Sequence, residues 1–228
     1  MPLSVSRTSG TSKRTSAPKF WVERACCALV TPGSTRRESQ EDKMANFSSL
    51  LTRIRELQTE ILCMAPYRDI GLVPNPGASQ LALAAVEERI AHRLPPAYRE
   101  FLAEHDGWPR FFEGATLLGT ANLGKRMYDD MARSVFEAAE TPVPHLAPPS
   151  RAQRAPIVPF GIDLQGTTLF AFNPSVTRAD GECEVVAWVN EIGVRRESFA
   201  GFLEFVVEMC EAELEGYQVP RQSLRRSA

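Results

Sequence analysis

Glu87-Glu88-Arg89-Ile90-Ala91-His92-Arg93-Leu94-Pro95-Pro96-Ala97-Tyr98-Arg99-Glu100-Phe101-Leu102-Ala103-Glu104-His105-Asp106-Gly107 is the stretch that decides how this chain folds. Two helical patterns meet there at a proline pair. Upstream, Leu83, Val86 and Ile90 recur at three- and four-residue spacing, as one face of a helix requires, and Ser79 stands where a capping hydroxyl is wanted. Downstream, Tyr98, Phe101 and Leu102 form the next apolar face. Pro95 and Pro96 end the first helix and suit the opening turn of the second, where a missing N–H costs nothing. Gly107 is expected in the left-handed C′ position of that second helix. All of these are folding roles. No nucleophile, acid–base pair or metal set stands among them.

The flanking segments extend the pattern. Phe47, Leu50, Leu51, Ile54, Leu57, Ile61 and Leu62 fall on one helical stripe that Pro66 ends, and residues 71–77, with Pro74 and Pro76, form a turn-rich connector. After Gly107 come an aromatic turn, Trp108-Pro109-Arg110-Phe111-Phe112, and a short strand at 116–120. A helix over 129–139 with Met131, Val135 and Phe136 inward follows, then a proline-rich loop over 141–156. The hydrophobic period then changes to two. Residues 157–160, 168–172, 184–190 and 194–197 read as short strands, and Ser198 caps a last helix that turns Phe199, Phe202, Leu203, Val206 and Met209 inward. Helices first, strands next and a helix last give an α+β fold, a mainly antiparallel sheet packed with helices, as one domain over residues 44–216.

From Glu87 to Gly107 the order Glu-x-x-Ile-x-x-x-Leu-Pro-x-x-Tyr-x-x-Phe-Leu-x-x-x-Asp-Gly resembles the signature of the SUKH superfamily, the Smi/Knr-like fold. Ile157-Val158-Pro159-Phe160-Gly161, followed by Gly166 and the 168–172 strand, is similar to that family's central hairpin. Ser198-Phe199 with its apolar helix resembles the family's C-terminal end. The three segments occur in family order across about residues 79–210. One departure is Ala91, where many members carry Gly. Ala is helix-compatible, so the helix is expected to run on to the prolines. The resemblance implies a SUKH-like single domain that works by binding protein. Bacterial members are commonly immunity proteins, which neutralise a cognate toxin of a polymorphic toxin system. Eukaryotic relatives include a regulator of cell-wall synthesis and signalling adaptors, so a cytosolic regulatory adaptor is the alternative. Fold alone names no ligand.

Composition agrees with a globular binding domain: 43% of the 228 residues are hydrophobic and 24% charged. No apolar stretch approaches the roughly 18–20 residues of a spanning helix, and no membrane partner is expected. Five cysteines, an odd number without framework spacing, point to a reducing, cytoplasmic compartment. The net charge of −2 conceals a strong asymmetry. Residues 44–216 carry fifteen basic and twenty-four acidic side chains, a balance of −9, while Arg221, Arg225 and Arg226 make residues 217–228 a basic tail. Residues 1–43 hold eight Lys/Arg against four Asp/Glu and twelve Ser/Thr, too little apolar surface to offset their ordering entropy. Three readings of them stay open: a disordered basic tail, an organelle transit peptide, or a start assigned too far upstream. The place of Met44, directly before the first periodic segment, favours the last.

The search for chemistry finds no constellation. His92, His105 and His145 are scattered, and no HExxH, CxxC, GxxxxGK[ST] or GxGxxG is present, so neither a metal, a cofactor nor an enzymatic activity is expected. Cys26 and Cys27 are adjacent and form no usual chelate; Cys63, Cys183 and Cys210 read as small core hydrophobes. Asp163 reads as a turn residue, and Asp129 and Asp130 as favourable charges near a helix N-terminus. Two features are candidate partner contacts. Glu204, Glu208 and Glu211, continued by Glu215, line one side of the last helix, either as a solvated face or as a docking ridge for a cationic partner. Trp108 and Phe111 are candidate apolar anchors with Arg110 at their rim, or, with Phe112, they close the core at a corner. A basic toxin domain suits the acidic body, since proteins that act on nucleic acid are commonly basic; no direct nucleic-acid contact is expected.

Overall fold

Helix α1 (Gln40–Met64) forms where the apolar stripe predicts it. It buries Phe47, Leu51, Ile54, Leu57 and Ile61 and stops before Pro66. The computed structural model describes residues 40–139, 157–189 and 192–225. The basic segment before Gln40, Cys26 and Cys27, the 141–156 loop with His145, and Arg226 lie outside the described residues, as do the side chains of Phe136, Arg221 and Arg225. After α1 the connector runs along the chain that follows the signature. Gly71 N–H donates to the Arg110 carbonyl (2.8 Å), Asn75 N–H to Gly107 (3.0 Å) and Ala78 N–H to Leu102 (2.8 Å).

The signature folds into α2 (Gln80–Ile90) and α3 (Pro96–Glu104). Ser79 caps α2 as expected, its Oγ accepting from Ala82 N–H at 3.2 Å. The end of α2 differs from expectation. The helix stops at Ile90, and Ala91 takes the left-handed conformation (φ 51°, ψ 31°), its N–H turned back on the Glu87 and Glu88 carbonyls. The reason is tertiary. The Glu87 carboxylate accepts from Leu94 N–H (3.2 Å), and Leu94 and Tyr98 are buried in the core, which a helix running straight to the prolines would not allow.

Pro96 opens α3, and Pro95 offers no capping side chain. Glu182 supplies the missing acceptor from far along the chain, its Oε1 taking Ala97 N–H at 2.7 Å. Helix α3 ends on an extended His105 (φ −141°), so Gly107 lies two residues beyond the cap rather than at C′. Its φ is nonetheless +88°, and a Cβ there would meet Gly119 N and the Leu117 carbonyl oxygen, each at 2.7 Å. Asp106 pins the same crossing, accepting from the Thr120 hydroxyl at 2.8 Å and from Thr120 N–H.

Trp108–Phe112 is a strand, β1, not an aromatic turn, and the expected 116–120 strand is the shorter β2 (Ala115–Leu117). The two join through Glu113 and Gly114, both at positive φ (48° and 72°). A register shift and a positive φ at Arg110 (52°) mark a bulge in β1, which breaks the in–out alternation and lets Trp108, Phe111 and Phe112 all turn inward. Pro109 is tolerated because β1 is an edge strand.

The remaining elements are α4 (Arg126–Ala139), β3 (Val158–Ile162), β4 (Thr168–Thr177), β5 (Cys183–Val189), β6 (Ile192–Arg196) and α5 (Phe199–Arg225). The sheet runs β1-β2-β3-β4-β5-β6 with every neighbouring pair antiparallel, as the α+β expectation required. At the β3–β4 turn Asp163 has the role read from the sequence, accepting from Thr167 N–H (2.9 Å) and Thr168 N–H (3.0 Å). Ser198 caps α5 through Gly201 N–H at 3.2 Å. The centre of the core is aromatic. Phe160 stacks on Phe172 at 4.2 Å, Tyr98 meets Phe160, Phe172 and Phe199, and Phe202 closes on Phe170 at 4.7 Å. The inner stripe of α5 thus seats it on the sheet, with α1 packed alongside.

Candidate interaction surface

Every polar member of the signature is turned inward. The Tyr98 hydroxyl donates to the Leu118 carbonyl at 2.7 Å, Glu87 holds the α2–α3 turn, and Asp106 holds the chain after β2. None is offered to a ligand. The buried cysteines are no more available: burial pushes the Cys210 thiol far up, with Glu213 and Glu113 adding to it, and burial also raises Cys183. Cys63 is exposed, against the expectation of a core position. Among the described residues, no group of three or more His, Cys, Asp or Glu side chains is placed to hold a metal, and no helix is long and apolar enough to cross a membrane.

The candidate residues read from the sequence separate into two groups. Trp108 and Phe111 are both fully buried, so they take the core-closing role rather than that of apolar anchors. Trp108 donates its Nε1–H to the Gly71 carbonyl at 2.6 Å and packs edge-on to Phe111 at 5.1 Å. Arg110, between them, is exposed and pairs with Asp69 at 3.1 Å. Glu204, Glu208 and Glu211, by contrast, lie on the outer side of α5, Glu211 half-buried and the other two exposed.

The sequence spacing does not reveal what lies beside that ridge. Arg53 on α1 reaches across to Glu211 (2.9 Å) and also pairs with Glu56 (3.7 Å). The hydrogen bond to Glu211 holds the guanidinium above its ordinary value. Arg196 on β6 pairs with Glu208 at 3.3 Å. The ridge is therefore one half of a two-helix face. The outer stripe of α1 supplies Glu56 and Glu60, and α5 supplies Glu204, Glu208, Glu211 and Glu215. Among the described residues Arg53 and Arg196 are paired with Glu211 and Glu208 on this face. Arg55 is turned elsewhere, its guanidinium over the Trp108 ring at 5.5 Å.

At the end of α1 the face changes character. Met64 is 42% exposed and Tyr67 80% exposed. Beneath them Arg68 bridges Glu113 (2.5 Å) and Glu213 (3.1 Å), tying the connector, the β1–β2 turn and α5 together. Burial works against the Arg68 charge, and the two carboxylates more than offset it. For Glu113 the balance falls the other way: burial, with the charge of Glu213 adding to it, leaves its carboxyl above the ordinary value despite Arg68. Tyr217 donates to Glu213 at 2.9 Å. Sequence reasoning missed this corner. Its one local signal is Met64, four residues on from Glu60 along the α1 outer stripe; Tyr67 lies in the turn beyond the helix, where that spacing no longer applies.

A model of the SMI1 / KNR4 family (SUKH-1) matches residues 77–208, the span from just before α2 to the middle of α5. No curated protein matches the chain.

Proposed function

The chain belongs to the SMI1 / KNR4 family (SUKH-1), which supports a protein-binding domain, and we propose that it is a non-enzymatic immunity protein that neutralises a cognate toxin of a bacterial polymorphic toxin system. The observation that carries this reading is the acidic face of α1 and α5 on a scaffold whose signature residues are all spent on folding. On this reading the protein acts in the cytoplasm, forms a 1:1 complex with a basic toxin domain, and blocks it sterically or by presenting carboxylates in place of an anionic substrate. Opposite charge speeds encounter by about 10- to 1,000-fold and makes it sensitive to salt.

The test is co-expression with the product of the adjacent reading frame, followed by co-purification and a growth assay. The expected result is a stable complex and protection from toxicity. Reversing Glu204, Glu208 and Glu211 together to Lys is expected to slow association at least tenfold at low salt and to flatten its salt dependence. An unchanged rate at low salt, in a variant whose circular dichroism matches the parent, sinks the electrostatic part. A toxin-free neighbourhood and a pull-down that returns a housekeeping protein would favour a cytosolic regulatory adaptor instead.

A further inference from the structure

We infer that the connector after α1 (residues 65–79) and the β1–β2 hairpin form a strained clasp, a conformational device in which Arg68 and Asp69 hold two hairpin residues in left-handed conformations. Opening the clasp frees the connector from the edge of the sheet and relaxes the hairpin in the same step. The inference does not depend on which partner the protein binds. It starts from a misfit between residue type and backbone. Phe112 pairs with Ala115, so Glu113 and Gly114 are the two central residues of the hairpin turn, both at positive φ (48° and 72°). Such a turn favours Asn, Asp or Gly at its first central position, and Glu is out of place there. Arg110, at φ 52°, takes a left-handed bulge position that normally calls for Gly. Among the described residues, Ala91 is the one other non-glycine at positive φ.

Both misfit side chains are spent on the connector. Glu113 takes Arg68 at 2.5 Å, and Arg110 takes Asp69 at 3.1 Å. Two neighbouring connector residues of opposite charge thus each meet their complement on the hairpin. The contact continues in the backbone. Gly71 N–H donates to the Arg110 carbonyl at 2.8 Å, and Trp108 Nε1–H donates to the Gly71 carbonyl at 2.6 Å. A Cβ on Gly71 would collide with the Pro109 carbonyl oxygen. The connector therefore lies flush on β1, an edge strand whose backbone groups would otherwise invite pairing with another chain. Backbone strain of this kind persists only where its surroundings over-determine it. Here the two ion pairs do so, and they differ in access. Arg110 and Asp69 are both more than half exposed, while Arg68 and Glu113 are largely covered. The outer pair is the handle and the inner pair the hold: a charged group that takes up Arg110 or Asp69 removes one of the two contacts that offset the strain. Arg68, Asp69 and Gly71 precede residues 77–208, so the clasp fastens the first part of the described chain to the matched scaffold.

The test uses the full chain, with urea unfolding for global stability and amide hydrogen exchange for the connector. Arg110→Gly with Glu113→Asn gives both positions residues that accept a left-handed backbone and removes both pairs. The urea midpoint is expected to equal or exceed the parent's. Exchange at the Gly71 and Asn75 amides should be faster by about tenfold or more, while the buried Leu118 amide is not accelerated. Asp69→Asn leaves the hairpin residues as they are and removes only the outer pair, so it should speed exchange at Gly71 without raising the midpoint. Asp69→Arg with Arg110→Asp rebuilds an outer pair in reverse and should return exchange at Gly71 towards the parent rate. Unchanged exchange at Gly71 in the first variant, or in Asp69→Asn, would show that the pairs do not hold the connector. A lowered midpoint in the first variant would show ordinary stabilising contacts with no strain behind them. Either result overturns the inference.

Discussion

Replacing Ala91 by Gly separates two accounts of the α2–α3 junction by sign alone. If α2 ran on to the prolines, Ala91 would be an interior helical residue, and Gly there would cost about 0.5–1 kcal/mol. In the structure Ala91 has φ 51° and ψ 31° and its side chain is exposed, so the substitution removes no packing. A left-handed conformation costs an L-residue about 1–2 kcal/mol, which Gly escapes. Against this stands the extra freedom Gly gives the unfolded chain, about 0.4–1 kcal/mol. The difference is a net gain of roughly 0.5–1 kcal/mol. For a domain of this size that corresponds to a rise in Tm of about 1–4 °C. The assay is urea unfolding followed by circular dichroism, comparing midpoints at constant slope, with a thermal scan beside it. A midpoint lowered by Gly at unchanged slope would refute the left-handed cap and restore the continuous helix.

Two further predictions test the contacts that hold the scaffold and the corner together. Glu182→Ala leaves the start of α3 without its acceptor for Ala97 N–H, and the cost is expected to be that of a lost N-cap, about 0.5–2 kcal/mol by urea unfolding; a change below about 0.3 kcal/mol would show that water replaces the carboxylate without loss. Glu113→Gln is expected to leave stability at pH 7 equal or higher, although it removes an ion pair with Arg68. Burial raises the folded-state pKa of Glu113 above its ordinary 4.5, so on folding the ionised form is disfavoured. Stability is then fullest below 4.5 and falls as pH climbs through the raised value. The Gln variant should lack that fall, and a loss of more than about 1 kcal/mol at pH 7 would show that the Arg68 pair dominates.

Legibility in the sequence followed the locality of the cause. The α1, α2, α3 and α5 stripes were readable because burial of Ile54, Val86, Phe101 and Phe202 follows from spacing alone. β1 was not, because its bulge at Arg110 and the proline before it destroy the period of two that identifies a strand. Ala91 was misread because nothing within the helix forces it left-handed; Glu87 capping Leu94 N–H and the seating of α3 do. The surface was half visible. Helical spacing placed Glu204, Glu208 and Glu211 together, but Arg53 is 158 positions from Glu211, and no local pattern announces such a pair. Trp108 carried no local signal of its burial, since an aromatic beside a glycine turn suits a core corner and an interface equally well.

The division of labour within α5 explains how one scaffold can serve a specific partner. Its inner stripe, Phe199, Phe202, Leu203 and Val206, completes the aromatic core, while its outer stripe faces solvent with carboxylates. Substitutions outside the core usually change stability by no more than about 0.5 kcal/mol. The outer residues are therefore free to follow a partner while the inner ones hold the sheet. The exception is the point where the two stripes meet. Glu213 is buried beside Arg68 and Glu113, and it also accepts from Tyr217 at 2.9 Å. A change there disturbs the packing that keeps the outer carboxylates of α5 in place. A partner that selects for this face should therefore tolerate variation at Glu56 or Glu208 far more readily than at Glu213, whose loss would leave Arg68 with half its counter-charge and Tyr217 without its acceptor.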